Sequence, residues 1–323
     1  TKSKYVLSVI NGTAALHLAI VVLGIKEKEE VLLPSMTFVA TGNVILYNKS
    51  IPHFFDVKED LSIDFVKLNN YLEKNTKIKN EKCVNKNTNR VIRAIIPMHI
   101  FGHMSDMSKL KKLASKFKLL IIEDAAEALG SYFNKKHAGT FGHIGTLSFN
   151  GNKIITTGMG GAILTNNKQT YLKAKHLAAI AKVKSKWDYV HDVLGYNYRL
   201  PSLNASIGCS QMKKIKILIN KKRKLFEMYK KVFSKSEFLT LVSERTNSRS
   251  NYWLQTIVLK PQFKDLTKMI LNKCYENKIF IRPAWKPLHQ LNYFKKFPKM
   301  NLAKTNSLSL RVLNLPSSSF LSK

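Results

Sequence analysis

Short apolar runs and longer apolar-periodic stretches alternate along most of the chain. Tyr5-Val6-Leu7-Ser8-Val9-Ile10 is a buried-type run that stops at Asn11-Gly12-Thr13, and residues 14–23 then form a largely aliphatic stretch closed by Gly24. A run of that length bounded by turn residues predicts a strand, and the longer stretch with its start and stop residues predicts a helix. The pairing repeats, with strands over 30–34, 51–57 and 91–98 and helices over 38–47, 63–74 and 107–117. Residues 119–122 are a further buried strand that delivers Glu123-Asp124-Ala125-Ala126-Glu127 at its carboxyl end. Strands are also expected at 145–149 and 161–165, with a helix over 168–181. The lysine- and asparagine-rich stretch 83–89 reads as a surface loop, and 187–201 as aromatic and irregular.

From Ser202 one helical pattern runs toward Phe233, long enough to bridge two domains. Beyond it a strand at 252–259, a helix at 266–277 and a strand at 279–282 suggest a smaller α+β unit. The alternation predicts an α/β fold with a mainly parallel sheet covered on both sides. We expect a large domain over 1–210 and a small C-terminal domain over 211–323, linked by the long helix. Open sheets of this kind bind ligands outside the carboxyl ends of their strands, which puts Asp124 and Lys153 in one crevice.

Lys153 is the unusual lysine of the chain. It follows a strand end in Ser148-Phe149-Asn150-Gly151-Asn152-Lys153, among amides, a hydroxyl and glycine, whereas Lys109, Lys111 and Lys112 lie on an evident solvent face. A lysine amine held beside a carbonyl is a covalent catalyst; the plain alternative is one more surface cation. The strand–glycine–helix turn at Gly12-Thr13 offers backbone N–H groups and a helix N-terminus, which suits a phosphate but is also ordinary capping.

Composition changes the picture in one respect. Lys and Arg number 54 against 20 Asp and Glu, a formal charge of +34. A basic surface attracts nucleic acid without needing a motif. Only eight of those residues are arginine, however, and the lysines are scattered, the densest run lying over 213–224 on the wet face of the long helix. Nucleic acid is therefore an unfavoured partner, and part of the charge suits an anionic substrate. The 45% hydrophobic content excludes disorder, and no apolar run is long enough to span a bilayer. Three distant cysteines without metal-ligand spacing suggest a reduced, cytoplasmic setting and no metal site. The chain opens at Thr1 directly before an apolar strand, so a preceding arm is expected.

With Gly12-Thr13, the acidic strand end and Lys153 in this order, the sequence resembles the DegT/DnrJ/EryC1/StrS family of sugar aminotransferases dependent on pyridoxal phosphate (PLP). The resemblance spans essentially the whole chain, from Asn11-Gly12-Thr13-Ala14-Ala15-Leu16 to Asn314-Leu315-Pro316-Ser317-Ser318. Within the family it is most similar to the LegC-like group, which makes 4-amino-4,6-dideoxy sugar nucleotides for nonulosonic acids, through 123–130, 149–158 and 189–200. It implies the aspartate-aminotransferase-like (PLP type I) fold with a seven-stranded sheet.

The resemblance also implies roles. Lys153 would hold PLP as a Schiff base and carry protons, and Asp124 would pair with the pyridine nitrogen, its alternative being a helix cap. Gly12, Thr13, Ala14 and Ser148 would bind the cofactor phosphate. Phe38 would stack on the ring, a core phenylalanine being the rival. Glu127 would stand near the phenolic oxygen, a surface Glu being the rival. Asn197 would reach a phosphate in the neighbouring protomer of a homodimer with shared active sites, a turn role being the rival. Arg282 and His289 are expected to face the nucleotide sugar, while His99 and His103 read as structural residues at the crevice or a loop.

The implied reaction moves an amino group from glutamate to a nucleotide-linked 4-keto-6-deoxy sugar. Lys153 argues against the dehydratase branch of the family, in which a histidine replaces it. A retired basic sensor or nucleic-acid-binding protein on the same fold is the alternative from another class. Met159 in the usual glycine run and His143 in the Gly-x-Ile-Gly turn depart from the family pattern.

Overall fold

The computed structural model describes residues 1–322. The chain begins β1 (Tyr5–Val9), α1 (Gly12–Val22), β2 (Glu30–Pro34), α2 (Val39–Tyr47), β3 (Ile51–Phe55) and α3 (Phe65–Asn75). A hairpin of β4 (Thr76–Lys79) and β5 (Lys82–Asn85) precedes β6 (Val91–Ile95), α4 (Met107–Lys116) and β7 (Leu120–Asp124). Two short strands, β8 (Tyr132–Phe133) and β9 (Lys136–His137), lead to β10 (Ile144–Ser148), β11 (Gly161–Thr165) and α5 (Lys168–Ala178). After α6 (Ser202–Phe233) come β12 (Leu239–Leu241), β13 (Ser248–Arg249), β14 (Gln255–Leu259) and α7 (Thr267–Glu276). β15 (Arg282–Pro283), α8 (Ala303–Ser309) and β16 (Val312–Leu315) complete the order.

The main sheet runs β1-β11-β10-β7-β6-β2-β3, and the β4–β5 hairpin joins it through β5 to make nine strands. The pairs β10–β7, β7–β6, β6–β2 and β2–β3 are parallel, whereas β11 is antiparallel to both its neighbours. Every residue of β2, β10 and β11 is buried. Strands covered on both faces need no polar alternation, which is why these read as continuous runs in the sequence.

A second, antiparallel sheet has the order β12-β14-β16-β15. Its side chains alternate between two cores, as the period of two requires. Ile257, Leu259 and Leu313 form a small cluster of their own, while Val258 and Val312 join the main core. The helix α6 is continuous through residues 210 and 211, so the chain passes from the first sheet to the second on an unbroken rod.

Three local expectations are corrected. Residues 83–85 are not loop but the second strand of a hairpin, with Cys83 and Asn85 buried. Their polarity misled because it serves the buried Glu30 carboxylate, which accepts from Asn85 Nδ2 at 2.9 Å and Thr88 Oγ1 at 2.6 Å, beside His53 Nδ1 at 2.7 Å. The strand expected from 252 begins only at Gln255, because Tyr252 takes a left-handed φ of 47° and Asn251 folds the backbone into a side-chain-bonded turn. The helix expected to 181 stops at Ala178, ahead of left-handed Ile180 and Ala181. Among the described residues, no helix is long and apolar enough to cross a membrane.

Candidate active site

β7 and β10 are parallel neighbours, with Thr146 in register with Asp124. Their carboxyl ends therefore open side by side, and the N-terminus of α1 points into the same place. Asn11 is extended there (φ −165°), and its side chain accepts the Ala14 N–H at 2.7 Å. The Ala15 N–H returns to the Asn11 carbonyl at 3.1 Å. Of the orphan donors of a helix start, the Gly12 and Thr13 N–H groups are thus among those that remain for a ligand. Gly12 is required by proximity, since a Cβ there would stand 2.8 Å from Ser148 Cβ.

These elements enclose a cavity of about 290 Å³. Gly12, Thr13, Phe38, Asp124, Glu127, Ser148 and Lys153 all line it, so most of the expected cofactor set converges. Asp124 is buried, with Oδ2 accepting from Thr41 Oγ1 at 2.7 Å and Oδ1 from the Ala126 N–H at 3.2 Å. Phe38 is 47% exposed and meets the ring of Trp285 edge-on at 5.8 Å, so it is not a core phenylalanine.

Glu127 is buried, not a surface carboxylate. Its Oε2 accepts the Phe101 N–H at 2.8 Å, and Oε1 is 3.4 Å from Lys153 Nζ. Burial pushes its carboxyl up to about 7, against the pull of the Lys153 ammonium and the Phe101 bond. The same Nζ stands 3.9 Å from the centroid of the Trp253 indole.

Not every expected residue arrives. Ala14 is buried behind the cavity, its N–H spent on Asn11. Asn197, expected at the site of a neighbouring protomer rather than in this one, is exposed and outside this chain's own lining. Arg282 is an exposed residue of β15, away from the lining, and His289 braces Ser35 at 2.6 Å and Asn306 at 2.9 Å. His99 pairs with buried Glu123 at 3.1 Å, and Glu123 also accepts the N–H groups of Gly139, Phe141 and Gly142. His103 packs edge-on against Tyr252. His143 accepts the Ile121 N–H, whereas Met159 does line the cavity.

Four contributors escaped the sequence reading: Thr41, Asn251, Trp253 and Trp285. Trp253 and Trp285 are two of only three tryptophans, the one signal that could have drawn attention to them. A larger cavity of about 800 Å³ lies between residues 58–63 and 240–246 and contains none of the expected site residues. Asp60 and Arg245 in its wall are already paired with each other at 2.9 Å. The smaller cavity is therefore the one where the expected site residues meet.

A largely parallel α/β sheet that sets a buried carboxylate and a lysine amine across one small cavity is the frame of an enzyme that works through a lysine-tethered cofactor. The chain belongs to the DegT/DnrJ/EryC1/StrS aminotransferase family, which matches residues 1–323 and whose cofactor is PLP. It is 35% identical over 320 residues to GDP-perosamine synthase of Escherichia coli O157:H7, covering 97% of this chain and 80% of that protein. It is 33% identical over 287 residues to UDP-4-amino-4,6-dideoxy-N-acetyl-beta-L-altrosamine transaminase of Campylobacter jejuni, covering 88% and 73%. Among solved structures it is similar to Helicobacter pylori PseC, an aminotransferase involved in the biosynthesis of pseudoaminic acid. That match has a TM-score of 0.88 and 25% identity, and covers 98% of this chain and 82% of that one.

Proposed function

We propose that this protein is a PLP-dependent aminotransferase that moves an amino group from glutamate to a nucleotide-linked 4-keto-6-deoxy sugar, giving a 4-amino-4,6-dideoxy sugar nucleotide. The observation that carries this reading is the convergence of Lys153, Asp124 and the α1 N-terminus on one cavity of about 290 Å³. The nucleotide-sugar acceptor is supported by two relatives named for nucleotide-linked sugars, one for GDP-perosamine and one for a UDP-linked 4-amino-4,6-dideoxy sugar.

The donor set fits the cofactor. Asp124 keeps a carboxylate in place for a protonated ring nitrogen, with Thr41 and Ala126 fixing one bond on each oxygen. The Gly12 and Thr13 N–H groups, the Thr13 and Ser148 hydroxyls and the positive end of α1 suit a phosphate dianion. Phe38 offers a ring face, and Glu127 a group for the phenolic oxygen. Bound PLP supplies an electron sink, which stabilises the carbon from which a proton is removed.

This chain's residues do the rest. Lys153 would tether the cofactor covalently and, once displaced by the amine of glutamate, would move the proton at the reacting carbon in both half-reactions. Asp124 would keep the ring nitrogen protonated. Trp253, Trp285 and Phe38 exclude water from the face they cover. Both half-reactions use the one site, so the kinetics are of the double-displacement kind.

A homodimer with shared sites fits the surface. Trp187, Tyr189, Leu194 and Leu203 are each 75% exposed or more, and exposed Asn197 lies between them in sequence, where it would reach the phosphate of a partner. Exposed aromatic and aliphatic residues concentrated in this way mark an interaction surface. Three free cysteines suit a reducing cytoplasm.

The test is the visible absorbance of the purified protein with PLP, before and after glutamate, beside Lys153→Ala. A band that bleaches with glutamate and is absent or altered in the variant is expected, followed by amine transfer to GDP- or UDP-linked 4-keto-6-deoxy sugars. A protein that binds no PLP would sink the proposal.

A further inference from the structure

Trp253 is remote from Lys153 in sequence, yet its indole forms the floor beneath the amine. Lys153 Nζ is 3.9 Å from the ring centroid and 3.4 Å from Glu127 Oε1, so an ammonium there lies between a π face and a carboxyl oxygen. The indole is fixed from several sides. Its Nε1 donates to the Asn152 carbonyl at 2.7 Å, and its backbone N–H donates to Asn251 Oδ1 at 2.8 Å. The Trp253 carbonyl accepts from buried Lys222 at 2.8 Å. Asn251 Nδ2 in turn donates to the carbonyls of Glu127 and Leu129, both at 2.9 Å. Residues 251–253 thus join the Lys153 loop to the backbone that carries Glu127.

A ring face attracts a cation far more than a neutral amine. The contact therefore acts on Lys153 only while its amine is protonated and untethered. Asp124, Glu127 and Lys153 are the titratable side chains in the lining. Asp124 is engaged by Thr41 and Ala126, which leaves Glu127 as the acid facing the amine.

We propose that Trp253 is a positioning residue for Lys153: with Glu127 it forms a berth that holds the amine as an ammonium whenever that amine is not covalently tethered. The proposal rests on the reading of Lys153 as the tethering lysine. In a double displacement this amine is released and must re-engage in every cycle. A berth inside the cavity keeps it from swinging to solvent in between.

The experiment uses cofactor-free protein labelled with trace acetic anhydride, with Lys153 acetylation read by mass spectrometry against exposed Lys109 in the same sample. In Trp253→Leu, Lys153 is expected to label about two- to thirty-fold faster at neutral pH, the range of a cation–π contact. Trp253→Phe keeps a π face without the Nε1 bond and is expected to fall between the two. The difference is expected to narrow as pH rises and to close once the amine is neutral in both proteins, because the ring face attracts only the cation. A mere loosening of the loop would persist at high pH. Glu127→Gln leaves the indole in place and gives a second reading if the leucine variant does not fold; it too is expected to raise the rate.

Unchanged Lys153 labelling in these variants, equal labelling in the leucine and phenylalanine variants, or a gap that survives at high pH would overturn the berth. Borohydride reduction of wild-type protein with PLP tests the tether separately. Failure to fix the cofactor on Lys153 there removes the tethering reading, whatever the labelling ratios show.

Discussion

Thr41, in the first turn of α2, donates its hydroxyl to Asp124 Oδ2 at 2.7 Å, and Thr37 donates to Thr41 at 3.1 Å behind it. Both threonines are buried, so the carboxylate at the end of β7 is aimed by a neighbouring helix rather than by its own strand. In Thr41→Val the shape is kept and a donor to a charged group is lost, an effect of roughly 1.5–3 kcal/mol. PLP is expected to bind about ten- to a hundred-fold more weakly by equilibrium dialysis, while borohydride still fixes it on Lys153. Unaltered affinity would show that Asp124 needs no such aim.

Glu127 makes stability depend on pH in a definite direction. Its carboxyl is raised from the ordinary value of 4.5 to about 7 by burial. The folded protein therefore holds a proton there that the unfolded chain releases, so this group's contribution is present below 4.5 and is lost as pH rises through 7. Glu127→Gln carries no such titration. The difference in melting temperature between wild type and variant is expected to move in the variant's favour between pH 4.5 and 7, and a flat difference would contradict it.

His103 acts at the acid side. Burial, with the Arg245 charge second, lowers its imidazole to about 3, and neither ring nitrogen has a hydrogen-bond partner among the described residues. A base with a depressed folded value is neutral in the native state, so its contribution is present above 6.5 and is lost as pH falls toward 3. His103→Phe keeps the edge-on contact with Tyr252 and removes the titration. Melting between pH 7 and 4.5 is expected to decline less in the variant, and an identical decline would refute the assignment.

Gly102 is the backbone partner of the Asn251 turn. Its φ is 96°, and a Cβ there would fall 2.0 Å from Asn251 Oδ1. Gly102→Ala combines a left-handed strain with a displaced side chain that holds the Glu127 and Leu129 carbonyls. A loss of roughly 2–4 kcal/mol is expected from denaturant midpoints. A loss under 1 kcal/mol would mean that the turn adapts.

The order of strands and helices could be read from the sequence because β2, β10 and β11 are covered on both faces and their apolar runs are unbroken. Lys153 and Asp124 could be read because each stands where such a run stops. Other features could not. Thr41 sits inside an otherwise apolar helix, and its target is 83 positions away. Trp253 meets Asn152 across 101 positions, a contact created only by the return of the chain after α6. The donor at Ala14 was placed correctly at the helix start, yet its N–H is consumed by the Asn11 side chain, which only the cap geometry reveals. Arg282 and His289 drew attention through residue type, but one faces solvent on β15 and the other braces two polar neighbours. The hairpin at 76–85 was hidden because its polar residues serve Glu30.

The antiparallel placement of β11 beside β10 has a consequence for how this enzyme can change. The two strands leave and re-enter the sheet at the same edge, and the Phe149 N–H meets the Gly160 carbonyl at 2.8 Å. The segment between them, with Asn150, Asn152, Lys153 and Met159 on the cavity wall, is a closed ring of chain that starts and ends at this pair and is tied again where Trp253 meets Asn152 and Asn204 meets Thr157. Substitutions or insertions inside that ring can reshape what the amine meets without shifting the register of any strand. What lines this wall of the cavity can therefore vary while the strand pairing of the sheet stays as it is.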